Sequence, residues 1–149
     1  IGVVKDVSAN DVIISQQGVR PFLDSVFVSS GNQSRNVASF VDLTGSDKSV
    51  NFPSGTKNIL VNVGVSSFLT GPVGTEIGFR FVVGSTFGNE FTFYFNTSGE
   101  HHAMSFTDIF TGPFSGSQNV RLEWRRASGT GNVNLDFKDN ITWSILGFY

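Results

Sequence analysis

Cysteine is absent, which excludes disulfides, thiol chemistry and cysteine metal sites in one step. Charge is sparse: 15% of residues are charged and the net charge is -2. A chain with no basic excess has little to neutralise phosphates with, so no nucleic-acid partner is expected. Helix signals are missing too, because no window holds apolar residues at i, i+3, i+4 and i+7 over three turns. The uncharged stretch between Lys57 and Glu76 carries Asn58, Asn62, Gly64, Ser66, Ser67, Gly71 and Pro72. It reads as a strand and a turn, not as a membrane span.

What is present in quantity is phenylalanine and glycine, 16 and 17 residues of 149. So many rings call for extensive burial, and the glycines mark tight turns. Period-two patterning recurs: Ile59-Val61-Val63-Val65, Ile77-Phe79-Phe81-Val83, Phe91-Phe93-Phe95, Val120-Leu122-Trp124 and Ile141-Trp143-Ile145. Each stripe is one face of a strand. Turn residues punctuate them, and the spacing predicts ten strands, at 22–30, 38–43, 48–52, 57–66, 76–84, 89–97, 101–109, 118–126, 131–137 and 141–149. The expected fold is all-β, an antiparallel sandwich of the jelly-roll kind, over 22–149. Phe79 and Phe81 are expected to pack against Phe91, Phe93 and Phe95 from the opposing sheet. The chain opens Ile1-Gly2-Val3-Val4 without Met, and Ile1, Val4 and Val7 have a helical seam's spacing. Residues 1–21 are therefore expected to be a lead-in from an upstream shaft, with a short coiled coil or plain coil as the two readings.

Chemical signatures are weak. His101 and His102 are adjacent, so on a strand they face opposite ways and chelate one metal poorly. No Gly-x-Ser-x-Gly elbow occurs, and Gly129-Thr130-Gly131 lacks the rest of a nucleotide fingerprint. The expectation is no enzyme, no metal and no cofactor.

Two segments carry a resemblance. One is Asn119-Val120-Arg121-Leu122-Glu123-Trp124-Arg125-Arg126, followed by the Ser128-Gly129-Thr130-Gly131 hairpin. The other is the closing Trp143-Ser144-Ile145-Leu146-Gly147-Phe148-Tyr149. The closing strand resembles that of the trimeric jelly roll of tumour-necrosis-factor-like and complement-head-like domains. The first segment, continued through Leu135, is similar to the tips of bacteriophage tail needles and tail fibres. The resemblance implies a homotrimer with one sheet buried between protomers, including the strands at 76–84, 118–126 and 141–149. Ile145, Leu146, Phe148 and Tyr149 are then expected at the interface. If the strand faces opposite Phe79 and Leu122 look toward the threefold axis, Glu76, Arg80, Arg121, Glu123 and Arg125 lie there, three arginines against two carboxylates. An interchain salt-bridge ladder or a small acidic ligand held by the surplus arginine are the two outcomes of that placement. The implied function is structural: the distal knob at a virion's tail tip, outside the cell, meeting a bacterial envelope component. The alternatives are a secreted lectin-like or cytokine-like trimeric binding module, or a viral capsid or spike jelly roll.

Overall fold

A computed structural model describes residues 22–29 and 31–149; the lead-in expected at 1–21 lies outside the described residues. The described residues form ten strands and no helix: β1 (Phe22–Ser29), β2 (Gln33–Arg35), β3 (Val41–Asp42), β4 (Lys48–Thr70), β5 (Thr75–Val83), β6 (Thr86–Phe87), β7 (Phe91–Phe95), β8 (His101–Ser128), β9 (Asn132–Leu135) and β10 (Asn140–Phe148). Every pairing is antiparallel.

β4 and β8 are long enough to serve both layers of the sandwich. Residues 58–65 of β4 pair with β10, and β10 pairs with β1. Residues 101–111 of β8 flank the same part of β4 on its other side. Residues 120–128 of β8 belong to the second layer, paired with β5, which in turn pairs with β7. The layers meet through aromatic contacts. Phe81 of β5 lies 5.4 Å from Trp143 of β10 and 6.3 Å from Phe110 of β8, and Phe91 of β7 stacks on Phe106 at 4.4 Å. All the predicted apolar stripes face this core, with Phe91 and Phe93 only half-buried at its margin.

Two expectations need correction. The strands predicted at 48–52 and 57–66 are one strand, as are those at 101–109 and 118–126. Pro53-Ser54-Gly55 is absorbed by shifts in the ladder between Phe52 and Asn58, where Gly55 takes φ +89°, a value its missing Cβ permits. A breaker that ends a strand in a flat sheet here bends it from one layer into the other. Second, β7 is β5's neighbour, with Phe79 opposite Phe91, so Phe93 and Phe79 (6.1 Å apart) share a layer and do not face each other across the core.

The hairpin after β8 shows close packing of backbone on backbone. Gly129 takes φ +81°, and a Cβ there would sit 2.6 Å from the Cα of Thr75. Gly129→Ala is expected to cost about 1–3 kcal/mol, from left-handed strain plus that clash. Urea unfolding of the variant checks this; an unchanged midpoint would refute the close approach.

Candidate functional site

Alternation in β5 and the end of β8 turns Ile77, Phe79, Phe81, Val120, Leu122 and Trp124 inward and leaves Glu76, Arg80, Arg121, Glu123 and Arg125 on the other face. The register sets Arg80 directly opposite Glu123. The Arg80 Nε donates to Glu123 Oε2 at 2.7 Å, and Arg121 Nη2 donates to Glu123 Oε1 at 2.8 Å. Two carboxylates that were not part of the sequence-level set complete the network. Arg121 Nε donates to Asp42 Oδ1 at 2.7 Å, and Arg125 grips both oxygens of Glu90 at 2.8 Å. Glu76 accepts from the Ser128 hydroxyl at 2.9 Å. The Arg80 guanidinium also lies 4.0 Å from the ring centres of both Phe40 and Phe87.

The charge count therefore changes. With Asp42 and Glu90 included, each of Arg80, Arg121 and Arg125 has a carboxylate within its own chain. Within this set of three, no guanidinium is the unpaired surplus that the sequence-level count of three arginines against two carboxylates left over. Burial alone would lower the Arg121 pKa, but hydrogen bonds and charge from Asp42 and Glu123 outweigh it and hold the group above its ordinary value. The hydrogen bond to Glu90 raises Arg125 likewise. A cation whose folded pKa is raised contributes stability that is lost only as pH climbs through that pKa, so neutral to moderately alkaline conditions leave these contacts in place.

The opposite outer face, over β1, β10 and the adjoining halves of β4 and β8, is built differently. Its outward positions are Leu23, Ser25 and Phe27; Thr142, Ser144, Leu146 and Phe148; Asn58, Leu60, Asn62, Gly64 and Ser66; and Ala103, Ser105, Thr107, Ile109 and Thr111. None is Asp, Glu, Lys or Arg. The register aligns Leu23, Leu146, Leu60 and Ile109 into one apolar row across all four strands. Leu23 is 70% exposed and Ile109 64%. Of the closing-strand residues expected at an interface, Leu146 and Phe148 lie on this face. Ile145 does not: the period of two turns it inward, where it is fully buried in the core. Tyr149 is half-buried, with its ring edge at Gly55. The closing strand and β5 lie in opposite layers, so the outer faces of both cannot share one interface sheet.

A third feature lies where β2 and β9 extend the end of β4. His101, its ring tilted against Phe68 with centres 4.6 Å apart, sits 2.9 Å from Asp139 Oδ1 and 3.8 Å from Asp136 Oδ2. Ligand atoms of these three residues lie within 4.8 Å of one another. The buried Asp139 carboxylate also accepts the Asp136 amide at 2.9 Å, so imidazole and backbone together answer its burial. His102 is on the other side of the strand and meets the Thr97 hydroxyl at 2.8 Å. Beside His101 is a cleft of about 450 Å³ lined by Asn32, Ser34, Phe68, Asn134, Leu135 and Asp136, among others. Sequence reasoning missed it because its walls come from three separate segments joined only by pairing of β2, β9 and β4.

No protein-family model matches the chain. No curated protein sequence matches it either. Solved structures do. A chain of infectious bursal disease virus, Gx strain, is similar with a TM-score of 0.56 at 12% identity, over 87% of this chain and 32% of that one. This chain thus spans about a third of the virus chain's length. Weaker likenesses include the CBM36-1 domain of a multidomain xylanase from the hindgut metagenome of Trinervitermes trinervoides, at TM-score 0.40 and 9% identity, over 87% of this chain and 98% of that one. Another is the carbohydrate-binding module CBM6cm-2 of Cellvibrio mixtus lichenase 5A in complex with cellotriose, at TM-score 0.39 and 13% identity, over 83% and 90% of the two chains. At 12% identity the virus likeness speaks to the fold: an antiparallel β-sandwich of the kind that virus chain contains.

Proposed function

We propose that this domain is a non-enzymatic attachment knob, the trimeric head of a bacteriophage tail needle or fibre, exposed at the tail tip to a bacterial envelope component. Jelly rolls serve both virion architecture and lectin-type binding, so the fold accommodates the role. The observation that carries the reading is the uncharged face. Exposed sheet surfaces normally alternate in charged residues, whereas the core of an interface is depleted of them. An exposed apolar row across four strands, with Phe148 in the adjoining row and Phe27 farther along the same face, is the kind of patch that marks an interaction surface. Its occupant is a second and a third copy of this chain. Identical copies repel wherever a shared charge meets itself, and this face carries no charge to repel. The arginine face, by contrast, has already spent its charges internally. Among the described residues, the hydroxyl that touches an imidazole (Thr97) meets His102, while the carboxylates Asp136 and Asp139 orient His101. No hydroxyl–imidazole–carboxylate relay is thereby assembled, which supports a binding role over a hydrolytic one.

Sedimentation equilibrium at micromolar concentration tests the assembly. The expected mass is about three times 16.1 kDa. Ile109→Lys puts a charge at the β8 end of the apolar row, at an exposed site, and is expected to yield folded monomers. A monomeric parent protein overturns the reading. So does a trimer that survives Ile109→Lys but falls apart on Arg125→Glu, because the interface would then be the arginine face.

A further inference from the structure

We infer that the cleft beside His101 binds a neutral saccharide; the inference takes its setting from the attachment role proposed above and names the ligand class. The cleft's volume, about 450 Å³, lies in the range of small-molecule sites. Its lining contains no lysine or arginine, so it is not built for phosphate, sulfate or carboxylate. Its one carboxylate, on Asp136, faces His101 at 3.8 Å.

The remaining polar groups divide into two kinds. Some are spent on holding the walls. Gln33 exchanges two hydrogen bonds with the Thr44 backbone at 2.9 Å, which pins β2. The Asn134 amide donates to Thr70 Oγ1 at 2.9 Å and to the Asn132 carbonyl at 3.0 Å, which fixes that side chain's orientation. Others are unspent among the described residues: the Asn134 Oδ1 acceptor, the Asn32 carboxamide and the Ser34 hydroxyl. A fixed acceptor, an amide that donates and accepts, and a hydroxyl match sugar hydroxyls, which do both. Phe68 adds a ring to the same wall, held against His101, on which the C–H face of a pyranose can rest. One preorganised neutral amide, with further uncharged donors and acceptors beside an aromatic ring, leaves a polyhydroxylated, uncharged ligand as the best match.

Ligand-detected saturation-transfer NMR on the whole chain tests this. The probes are the methyl glycosides of glucose, galactose, mannose, rhamnose and N-acetylglucosamine, with methyl glucuronide as the anionic comparison. Transfer to at least one neutral glycoside is expected. Its Kd is expected to rise about tenfold in Asn134→Ala, the loss of one good hydrogen bond. It should rise at least as much in Ser34→Lys, an exposed substitution that leaves the walls intact. No transfer to any neutral glycoside overturns the inference, as does transfer to the glucuronide alone or binding within twofold of the parent in Ser34→Lys. Sedimentation separates the two ideas: a trimer that binds no sugar sinks only the cleft, and a monomer that binds sugar sinks only the assembly.

Discussion

Trp143→Ala is expected to destabilise the domain by about 3–5 kcal/mol, a large part of a small domain's total stability. The ring is almost fully buried and packs edge-on to Phe81, so truncation opens a cavity between the two layers. It also strands a polar group. The indole Nε1 donates to the Ser46 carbonyl at 2.6 Å, and Ser46 is itself buried. The Ser46 hydroxyl in turn bonds both the amide and the carbonyl of Leu122, at 3.0 and 3.2 Å. Trp143 thus ties β10 to β8's far half through one serine. Trp143→Phe separates the terms: it keeps most of the packing, removes the donor, and should cost about 1–3 kcal/mol for the orphaned carbonyl and the smaller ring. Phe93→Ala is the comparison, at about 1–2 kcal/mol, since that ring is half-buried at the core's margin. Guanidinium unfolding of the three variants decides it. A loss below about 1 kcal/mol for Trp143→Ala would place that ring outside the core.

The same contacts explain what could be read from the sequence. The inward stripes were legible because a buried strand face imposes a period of two, and an error of one residue would expose every Val and Phe in it. Ile59 to Val65 and Ile77 to Val83 are buried for that reason. Strand ends were not legible. Pro53, Gly55, Gly112 and Pro113 look like turns from their neighbours alone, yet β4 and β8 run through them, and only the partner strand says whether a breaker ends a strand or bends it. The site divides the same way. Arg80, Arg121, Glu123 and Arg125 share a face by parity within two strands. Asp42 and Glu90 reach Arg121 and Arg125 from loops and short strands 79 and 35 positions away in the chain, a distance no local pattern spans. The uncharged face left a partial trace, the charge-free run between Lys57 and Glu76. Its meaning needs the strand order, because the row from Leu23 through Leu146 and Leu60 to Ile109 joins four regions of the chain.

Glu123→Ala is expected to cost about 3 kcal/mol, because removing one member of a buried ion network leaves the others uncompensated. The Glu123 side chain is 8% exposed and holds two guanidinium groups, Arg80 at 2.6 Å and Arg121 at 2.8 Å. Those arginines are 22% and 21% exposed, so water recovers part of the loss and keeps the cost below that of a fully buried pair. Arg121 retains Asp42, and Arg80 retains the rings of Phe40 and Phe87; Arg80 is therefore the group left most exposed to the loss. Restoring an uncharged partner tests that assignment. In Arg80→Met with Glu123→Leu, neither buried charge remains opposite the other, and most of the stability is expected to return, since apolar groups of similar size often replace such pairs at little cost. Denaturant unfolding of Arg80→Met, Glu123→Leu and their double variant, beside Glu123→Ala, gives the coupling directly. A single-variant loss under about 1 kcal/mol, or a double variant as unstable as Glu123→Ala, would mean that the carboxylate acts alone and that this face is a solvated charge pattern with no structural core.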